Sequence, residues 1–269
     1  MTDIVDFHVH LGQGTPGTTD PEQRGISAEM VVASAQQAGI DLSVVCPVQY
    51  LADEYPGANA EIAAAVRAYP EQLIGLGRVN PGHPQATDQV RQAVEEFGLR
   101  GLKLHHACDW FEVEHEVVER VVRQCGALRI PVLFHSPGVV GALLRVAERA
   151  PETTLVLGHM GGDSAGMRQC LDGAARLPNV WLETSSAQDL DLFQEAAASF
   201  PDRLLFGTDS IAGPERRREL AKVSGLPVAA STRAAILGAN ALRLLGLASP
   251  GRPDWPASPS GPGPHQEFV

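Results

Sequence analysis

Residues 4–10 read Ile4-Val5-Asp6-Phe7-His8-Val9-His10 and combine a short apolar run with two histidines. The β-branched and aromatic residues predict a strand over residues 4–8. Side chains two residues apart on a strand point to the same side, so His8 and His10 can present two imidazoles to one metal ion. Two hydrogen-bonded histidines without a metal are the competing interpretation, and the rest of the chain decides between them.

Seven more apolar runs follow the first along the chain. They are continuous rather than alternating, which is typical of strands that are covered on both faces. The eight predicted strands cover residues 4–8, 42–48, 73–79, 102–105, 132–135, 155–159, 180–184 and 204–208.

Segments of helical period follow the strands. The predicted helices cover residues 27–38, 58–68, 85–96, 114–127, 139–149, 164–176, 189–199 and 232–245. Ser27 and Gly39 are suitable start and stop residues for the first of them. A strand and a helix repeated eight times predict an α/β protein with the (β/α)₈ TIM barrel fold. An open doubly wound sheet is the competing architecture, but no glycine-rich phosphate-binding turn follows the first strand.

The composition divides the chain into one globular domain and a tail. With 269 residues, of which 44% are hydrophobic, a single barrel domain is expected over residues 1–248. Residues 249–269 are rich in Pro, Gly and Ser and are expected to form a disordered tail, which removes His265 from the site. The segment 12–25 is long for a barrel loop and is expected to contribute to the rim of a substrate site.

Charge and targeting features restrict the class of partner. The net charge is −11 without a basic run, which argues against nucleic acid and against an anionic membrane surface. The sequence shows neither a signal peptide nor a membrane span, so we expect a cytoplasmic protein with a small-molecule substrate. A homodimer is the default assembly for such an enzyme. The four cysteines have no CxxC pair and receive no role: Cys46, Cys108, Cys125 and Cys170.

Polar residues stand where most of the predicted strands end, and in a (β/α)₈ barrel the active site lies at these C-terminal ends. Six of the nine histidines occupy such positions, with one lysine and two acidic residues: His8, His10, Lys103, His105, His106, His135, His159, Glu183 and Asp209. Neutral imidazoles and a carboxylate suit Zn²⁺, Mn²⁺, Fe²⁺ or Co²⁺, and we expect Zn²⁺. An open coordination position on the ion would activate a water molecule.

At these residues the chain resembles the metal-dependent amidohydrolase superfamily, in particular the branch of amidohydrolase-related hydrolases and of decarboxylases of the aminocarboxymuconate-semialdehyde and resorcylate type. The resemblance covers roughly residues 3–247 and includes Ala58-Asn59-Ala60-Glu61, Arg78-Val79-Asn80-Pro81, Gly158-His159-Met160-Gly161-Gly162 and Leu237-Gly238-Ala239-Asn240-Ala241. It implies that the ion is held by His8, His10, His135 and Asp209. His159 is then either a ligand of a second metal or the group that orients and polarises the substrate.

The role of Lys103 stays open. In binuclear members of the superfamily a lysine at the end of the fourth strand carries a carbamate that bridges two metals. In the mononuclear branch, a lysine at this position can instead neutralise a substrate carboxylate or form a structural ion pair. The number of ions, one or two, therefore stays open as well. Further candidates for substrate contact are His105, Arg78 and Glu183.

The first functional hypothesis is a metal-dependent hydrolase, in which a metal-activated water attacks the carbonyl of an amide, lactone or ester. Asp209 would carry the proton and His159 would polarise the oxyanion. The alternative is a non-oxidative decarboxylase of a small aromatic or enoic acid on the same scaffold. The absence of a long insertion favours the hydrolase. A non-catalytic barrel that binds a ligand through the same mouth is a third hypothesis.

Overall fold

The strands form the centre of the molecule and helices cover them. A computed structural model describes residues 3–14 and 24–247. Its strands are β1 (Val5–Gly14), β2 (Arg24–Ile26), β3 (Leu42–Pro47), β4 (Leu73–Gly75), β5 (Gly77–Arg78), β6 (Leu102–Leu104), β7 (Val132–His135), β8 (Leu155–Gly158), β9 (Val180–Glu183) and β10 (Leu204–Leu205). All eight predicted strands are present, although the third is divided into β4 and β5.

The parallel strands close into a barrel. β1, β3 and β4 are neighbours, and β5 to β10 follow one another in chain order. Leu76 joins β4 to β5, so these two segments act as one barrel strand. The barrel closes where β1 meets the chain after β10, since the Phe7 N–H donates to the Phe206 carbonyl at 2.8 Å. A second closing bond runs from the Asp209 N–H to the His8 carbonyl, also at 2.8 Å. The predicted (β/α)₈ fold is confirmed.

β1 is longer than predicted because it continues past His8 and pairs with the antiparallel β2. Between Asp6 and Val9 its register with β3 shifts, which marks a bulge. His8 and His10 nevertheless converge, with their ring centroids 5.3 Å apart. The spacing of two residues therefore brings both imidazoles to the same region of the barrel mouth.

The helical layer differs from the prediction in three places. The helices are α1 (Ala28–Ala38), α2 (Tyr55–Ala68), α3 (Ala86–Glu95), α4 (His106–Asp109), α5 (Glu116–Ala127), α6 (Val140–Arg149), α7 (Ser164–Arg176), α8 (Leu190–Ser199), α9 (Gly213–Ser224), α10 (Ala230–Ala234) and α11 (Asn240–Leu244). The short α4 and the longer α9 were not predicted. The predicted helix 232–245 contains a π-helical turn, Ala235–Ala239, between α10 and α11.

The missed helix α9 has an unusual buried face. Its buried residues are Arg216, Glu219 and Val223, so two of the three are charged. An amphipathic helix is recognised in a sequence by its apolar stripe, which α9 lacks. The burial of these charged side chains depends on partners elsewhere in the fold.

The barrel interior is apolar beneath the polar strand ends. Leu133 lies two residues before His135 on β7 and therefore points to the same side of the strand. It belongs to a buried cluster with Phe7, Val156 and Leu205 from other strands. This cluster forms a rigid floor under the residues of the mouth.

Some predictions concern parts of the chain outside the described residues. The domain boundary at residue 248, the tail 249–269 and residues 15–23 of the proposed rim segment belong to this group. Within residues 3–14 and 24–247, no helix has the length and apolar character needed to cross a membrane.

Gly238 in the π-helical turn tests the packing at the start of β1. A Cβ atom at Gly238 would overlap the backbone carbonyl oxygen of Asp3. We expect Gly238→Ala to lower the free energy of unfolding by about 1–3 kcal/mol, the usual effect of overpacking. Gly57→Ala in α2 is the control, because its Cβ would meet no atom within 4 Å and should stabilise the helix by up to about 1 kcal/mol. Urea unfolding of both variants measures the difference, and equal stabilities would contradict this packing.

Candidate metal centre and substrate cavity

A cavity of about 470 Å³ opens at the C-terminal ends of the barrel strands. One wall carries polar and titratable side chains, among them His10, Arg78, Lys103, His105, His135, His159 and Asp209. Residues from β2, α1 and the chain after β10 line the other side, including Ile26, Met30, Ile211 and Ala212. The cavity therefore combines a polar wall with an apolar side, which suits a small molecule that has both kinds of surface.

Asp209 brings the two histidines of β1 together. Its Oδ1 lies 3.4 Å from His8 Nε2 and 3.3 Å from His10 Nε2. His10 Nδ1 lies 3.1 Å from the Pro47 carbonyl, which can only accept, so Nδ1 carries the hydrogen. In the neutral ring, Nε2 of His10 then directs a lone pair at a carboxylate oxygen. Such a pair of facing acceptors needs a proton or a metal ion between them.

His135 and His159 form a second pair beside the first. His135 Nδ1 lies 3.1 Å from His159 Nε2, and His159 Nε2 lies 3.9 Å from Asp209 Oδ2. The two oxygens of Asp209 thus face the two histidine pairs. The structure brings together all four predicted ligands and His159, although their role as ligands stays a prediction.

These separations fit a divalent ion. Two ligands at about 2.1 Å from one ion, at angles of 90–110°, lie about 3.0–3.4 Å apart. The contacts of Asp209 Oδ1 with His8 and His10, and the contact between His135 and His159, fall between 3.1 and 3.4 Å. The donor set of imidazoles and a carboxylate is also one that Zn²⁺ and Mn²⁺ accept.

The protonation states of the site favour ion binding. Burial lowers the pKa of His135 to about 2 and that of His159 to about 4, so both rings are neutral near pH 7. Burial also holds the pKa of His8 well below its usual value. Burial would raise the pKa of Asp209, but its contacts with His8 and His10 keep it well below the usual range. Neutral imidazoles and an ionised carboxylate are the forms that coordinate metals.

His10 behaves differently from the other histidines. Burial would lower its pKa, but the Cys46 thiol and the Asp209 carboxylate raise the pKa to about 10. A proton on His10 takes the place that a metal ion would have between Nε2 and Asp209. Metal binding at this point therefore releases a proton.

Glu183 supports the centre from beneath. Its Oε2 accepts hydrogen bonds from His8 Nδ1 at 3.0 Å, from the His159 N–H at 3.2 Å and from the Ser185 hydroxyl at 2.8 Å. A Cβ atom at Gly207 would overlap Glu183 Oε1, so glycine is required there. Glu183 is fully buried and does not line the cavity. Its position supports the orientation of the His8 imidazole and of the His159 backbone rather than the predicted contact with substrate.

The two other predicted substrate residues have different surroundings. His105 stacks on His135, with ring centroids 3.9 Å apart, and its Nδ1 accepts from the Cys108 N–H at 3.2 Å. Nε2 of His105 is then an N–H donor on a residue that lines the cavity. Arg78 donates to both oxygens of Asp109 and to the Pro47 carbonyl, so its guanidinium is largely occupied by the protein. Both roles in substrate binding stay predictions.

Several supporting residues were not recognised in the sequence. Two groups have potential ligand atoms within 4.8 Å of one another, one made of His8, His10 and Cys46 and the other of His8, His159 and Glu183. Cys46 was given no role, yet its Sγ lies 3.5 Å from His10 Nδ1. The position of Cys46 near the end of the second predicted strand was the available signal. Asp6 and Ser185 also contact ligand residues, and only tertiary structure reveals these contacts.

Comparison with known proteins identifies the family of the chain. The Amidohydrolase family profile matches residues 5–247, and the chain belongs to that family. This confirms the resemblance found in the sequence. No curated protein sequence matches the chain.

Three solved structures illustrate the shared fold. An uncharacterised TIM-barrel protein from Bordetella bronchiseptica has a TM-score of 0.72 and 20% identity, over 91% of this chain and 98% of its own. 2,6-Dihydroxybenzoate decarboxylase from Rhizobium has a TM-score of 0.71 and 16% identity, over 91% of this chain and 99% of its own. 5-Carboxyvanillate decarboxylase from Novosphingobium aromaticivorans, with bound manganese, has a TM-score of 0.72 and 16% identity, over 91% of this chain and 97% of its own. At these identities the similarity establishes the fold alone.

Metal affinity tests the assignment of the centre. We expect Glu183→Gln to weaken Mn²⁺ or Zn²⁺ binding by about 10–100-fold, as changes next to ligands do, and His135→Ala to weaken it further because a ligand is removed. His115→Ala is the control, since His115 is exposed at the start of α5. Competition with a chromogenic chelator measures the dissociation constants. If His135→Ala retained the affinity of the wild type, the four-ligand centre would be wrong.

Proposed function

We propose that this chain is a metal-dependent decarboxylase of a small carboxylic acid, aromatic or enoic. The observation that supports this most directly is the position of Lys103. Its Nζ lies 2.7 Å from His8 Nε2, and the side chain is fully buried on β6 while it lines the cavity. Within the described part of the chain, no salt bridge joins Lys103 to a carboxylate.

A buried ammonium next to the cavity favours an anionic ligand. Burial lowers the pKa of Lys103, because the charged form is poorly solvated there. A carboxylate of the substrate would compensate that charge at short range. A neutral lactone or amide would leave it without a partner of opposite charge. The decarboxylase alternative therefore accounts for Lys103 better than the hydrolase does.

Asp209 is suited to carry the proton of the reaction. Decarboxylation breaks the bond between the carboxylate carbon and its neighbour, which keeps the electron pair and takes a proton while CO₂ leaves. Asp209 is ionised at rest, and it can take a proton from water or from a substrate hydroxyl. Because its pKa is low, it then gives that proton up readily.

The divalent ion would be held by His8, His10, His135 and Asp209, with His159 beside them. When bound, it would draw electron density from the oxygens of the substrate. The relatives support a transition metal, since one of the decarboxylases contains manganese. We propose Mn²⁺ or Zn²⁺, and we leave one or two ions open.

The relatives also bear on the choice between the two reactions. Two of the structures with the same fold are decarboxylases of aromatic acids. Their alignments with this chain span 99% and 97% of the decarboxylase chains. The absence of a long insertion therefore does not exclude the fold of these decarboxylases.

Hydrolysis of an amide, lactone or ester is the second candidate. The observation in its favour is the ionised carboxylate of Asp209 in the cavity, which is the state that a general base requires. His159 beside it offers an imidazole to the substrate oxygen.

A substrate panel separates the two reactions. We expect protein loaded with Mn²⁺ or Zn²⁺ to release CO₂ from at least one of a set of hydroxybenzoates and enoic acids. Asp209→Asn should lower the rate by about 10²–10⁴-fold, the range for a general acid–base group. Asp189→Asn at the start of α8 is the control, because its carboxylate caps that helix and does not line the cavity. Hydrolysis of lactones or cyclic amides without CO₂ release would replace the proposal by the second candidate.

Lys103→Met tests the recognition of the carboxylate. We expect KM for an active acid to rise by about 10–100-fold, which corresponds to one charge-assisted hydrogen bond, while metal content is retained. Lys222→Met is the control, since Lys222 pairs with Glu219 of α9, donates to the Ala187 carbonyl after β9 and does not line the cavity. An unchanged KM would remove the main support for the decarboxylase. Loss of half of a two-ion metal content would instead indicate that Lys103 bridges two metals.

A further inference from the structure

The segment that carries Asp209 follows the end of the last barrel strand. β10 ends at Leu205, so Asp209 lies beyond the regular strand. Its backbone φ of 51° is in the left-handed region, which aspartate tolerates better than most residues but which persists only where the surrounding structure favours it. Contacts from other parts of the fold must therefore maintain this conformation.

Arg216 of α9 provides such contacts with a fully buried guanidinium. Its Nε donates to the Ser210 carbonyl at 2.7 Å, directly after Asp209. Its Nη1 donates to the Val31 carbonyl in α1 at 3.3 Å. Its Nη2 lies 3.6 Å from Asp6 Oδ2 in β1. One side chain thus connects the segment of Asp209 to β1 and to α1.

Asp6 contacts both His8 of β1 and Thr208, the residue before Asp209. Its Oδ1 accepts from the His8 N–H at 3.2 Å and from the Thr208 N–H at 2.9 Å. Its Oδ2 accepts from the Thr208 hydroxyl at 2.5 Å. The residues immediately before and after Asp209 are therefore held by the ion pair of Asp6 and Arg216.

We propose that Arg216 is a positioning residue that holds Asp209 against His8 and His10 and thereby sets the affinity of the metal centre. This inference rests on the proposed centre. The planar guanidinium donates to two carbonyls in different directions while its Nη2 lies beside Asp6, which a lysine ammonium on a flexible stem does not reproduce. A pair that merely neutralised Asp6 would stabilise the fold without changing ion affinity. The two roles therefore differ in a measurable property.

The test uses the full chain and compares three variants with the wild type. Arg216→Lys keeps the charge next to Asp6, and Arg216→Met removes it. Arg203→Met is the matched control, because Arg203 also donates to backbone carbonyls, those of Leu177 and Val180, but precedes β10 at the opposite end of the strand. For each protein we would measure the Mn²⁺ dissociation constant by chelator competition. The melting temperature after chelator treatment would report the stability of the fold.

We expect both Arg216 variants to bind Mn²⁺ at least about tenfold more weakly, as loss of support next to ligands does. Arg216→Lys should lose less melting temperature than Arg216→Met, since it still neutralises Asp6. Arg203→Met should lower the melting temperature and leave the dissociation constant unchanged. If Arg216→Met does not fold, Arg216→Lys alone decides.

Two negative results have different meanings. Wild-type affinity in a folded Arg216→Lys variant would overturn the positioning role and leave the metal centre intact. Failure of the wild type to bind either Mn²⁺ or Zn²⁺ would overturn the centre, and the inference with it.

Discussion

Closure of the barrel between its first and last strands is the constraint on which the whole site depends. The Asp209 N–H donates to the His8 carbonyl at 2.8 Å, so a backbone bond of the barrel itself brings this carboxylate to the imidazoles. His8 and Asp209 are far apart in the sequence, and bringing such distant residues together costs loop entropy. This entropy is lost when the barrel folds and not again when a ligand binds. Its functional groups are then preorganised for a ligand.

Apolar periodicity reports on elements that are covered by other elements, which is why the barrel strands and most helices could be predicted. The strand-end rule also predicted the convergence of the histidines with Asp209, because topology alone brings strand ends together. α9 escaped prediction since its buried face carries Arg216 and Glu219. The hydrogen bonds by which Asp6 and Glu183 support the site were not predicted either. The sequence shows that a strand contains a carboxylate, but not whether its oxygens accept hydrogen bonds from a substrate or from donors of the protein itself.

A buried polar network lies at the mouth of an otherwise apolar barrel. His8, Lys103 and Glu183 are fully buried, and a buried polar group without a partner costs about 1–3 kcal/mol. Each of them finds a partner in the network, so the cost is offset as long as every member is present. Gly207 belongs to the same arrangement, since a side chain there would displace Glu183. The arrangement of the mouth thus depends on residues that do not line the cavity.

The contact between Lys103 and His8 links metal binding to substrate choice. Nδ1 of His8 donates to Glu183 at 3.0 Å, so Nε2 keeps the single lone pair, which accepts from Lys103 Nζ at 2.7 Å. A metal ion on His8 requires the same lone pair, and one lone pair does not serve both. With an ion bound, the buried Lys103 amine would lose this acceptor, and a buried polar group without a partner is costly. In the proposed decarboxylase, a substrate carboxylate would supply the missing partner, so the imidazole that binds the ion would also make the cavity select an acid.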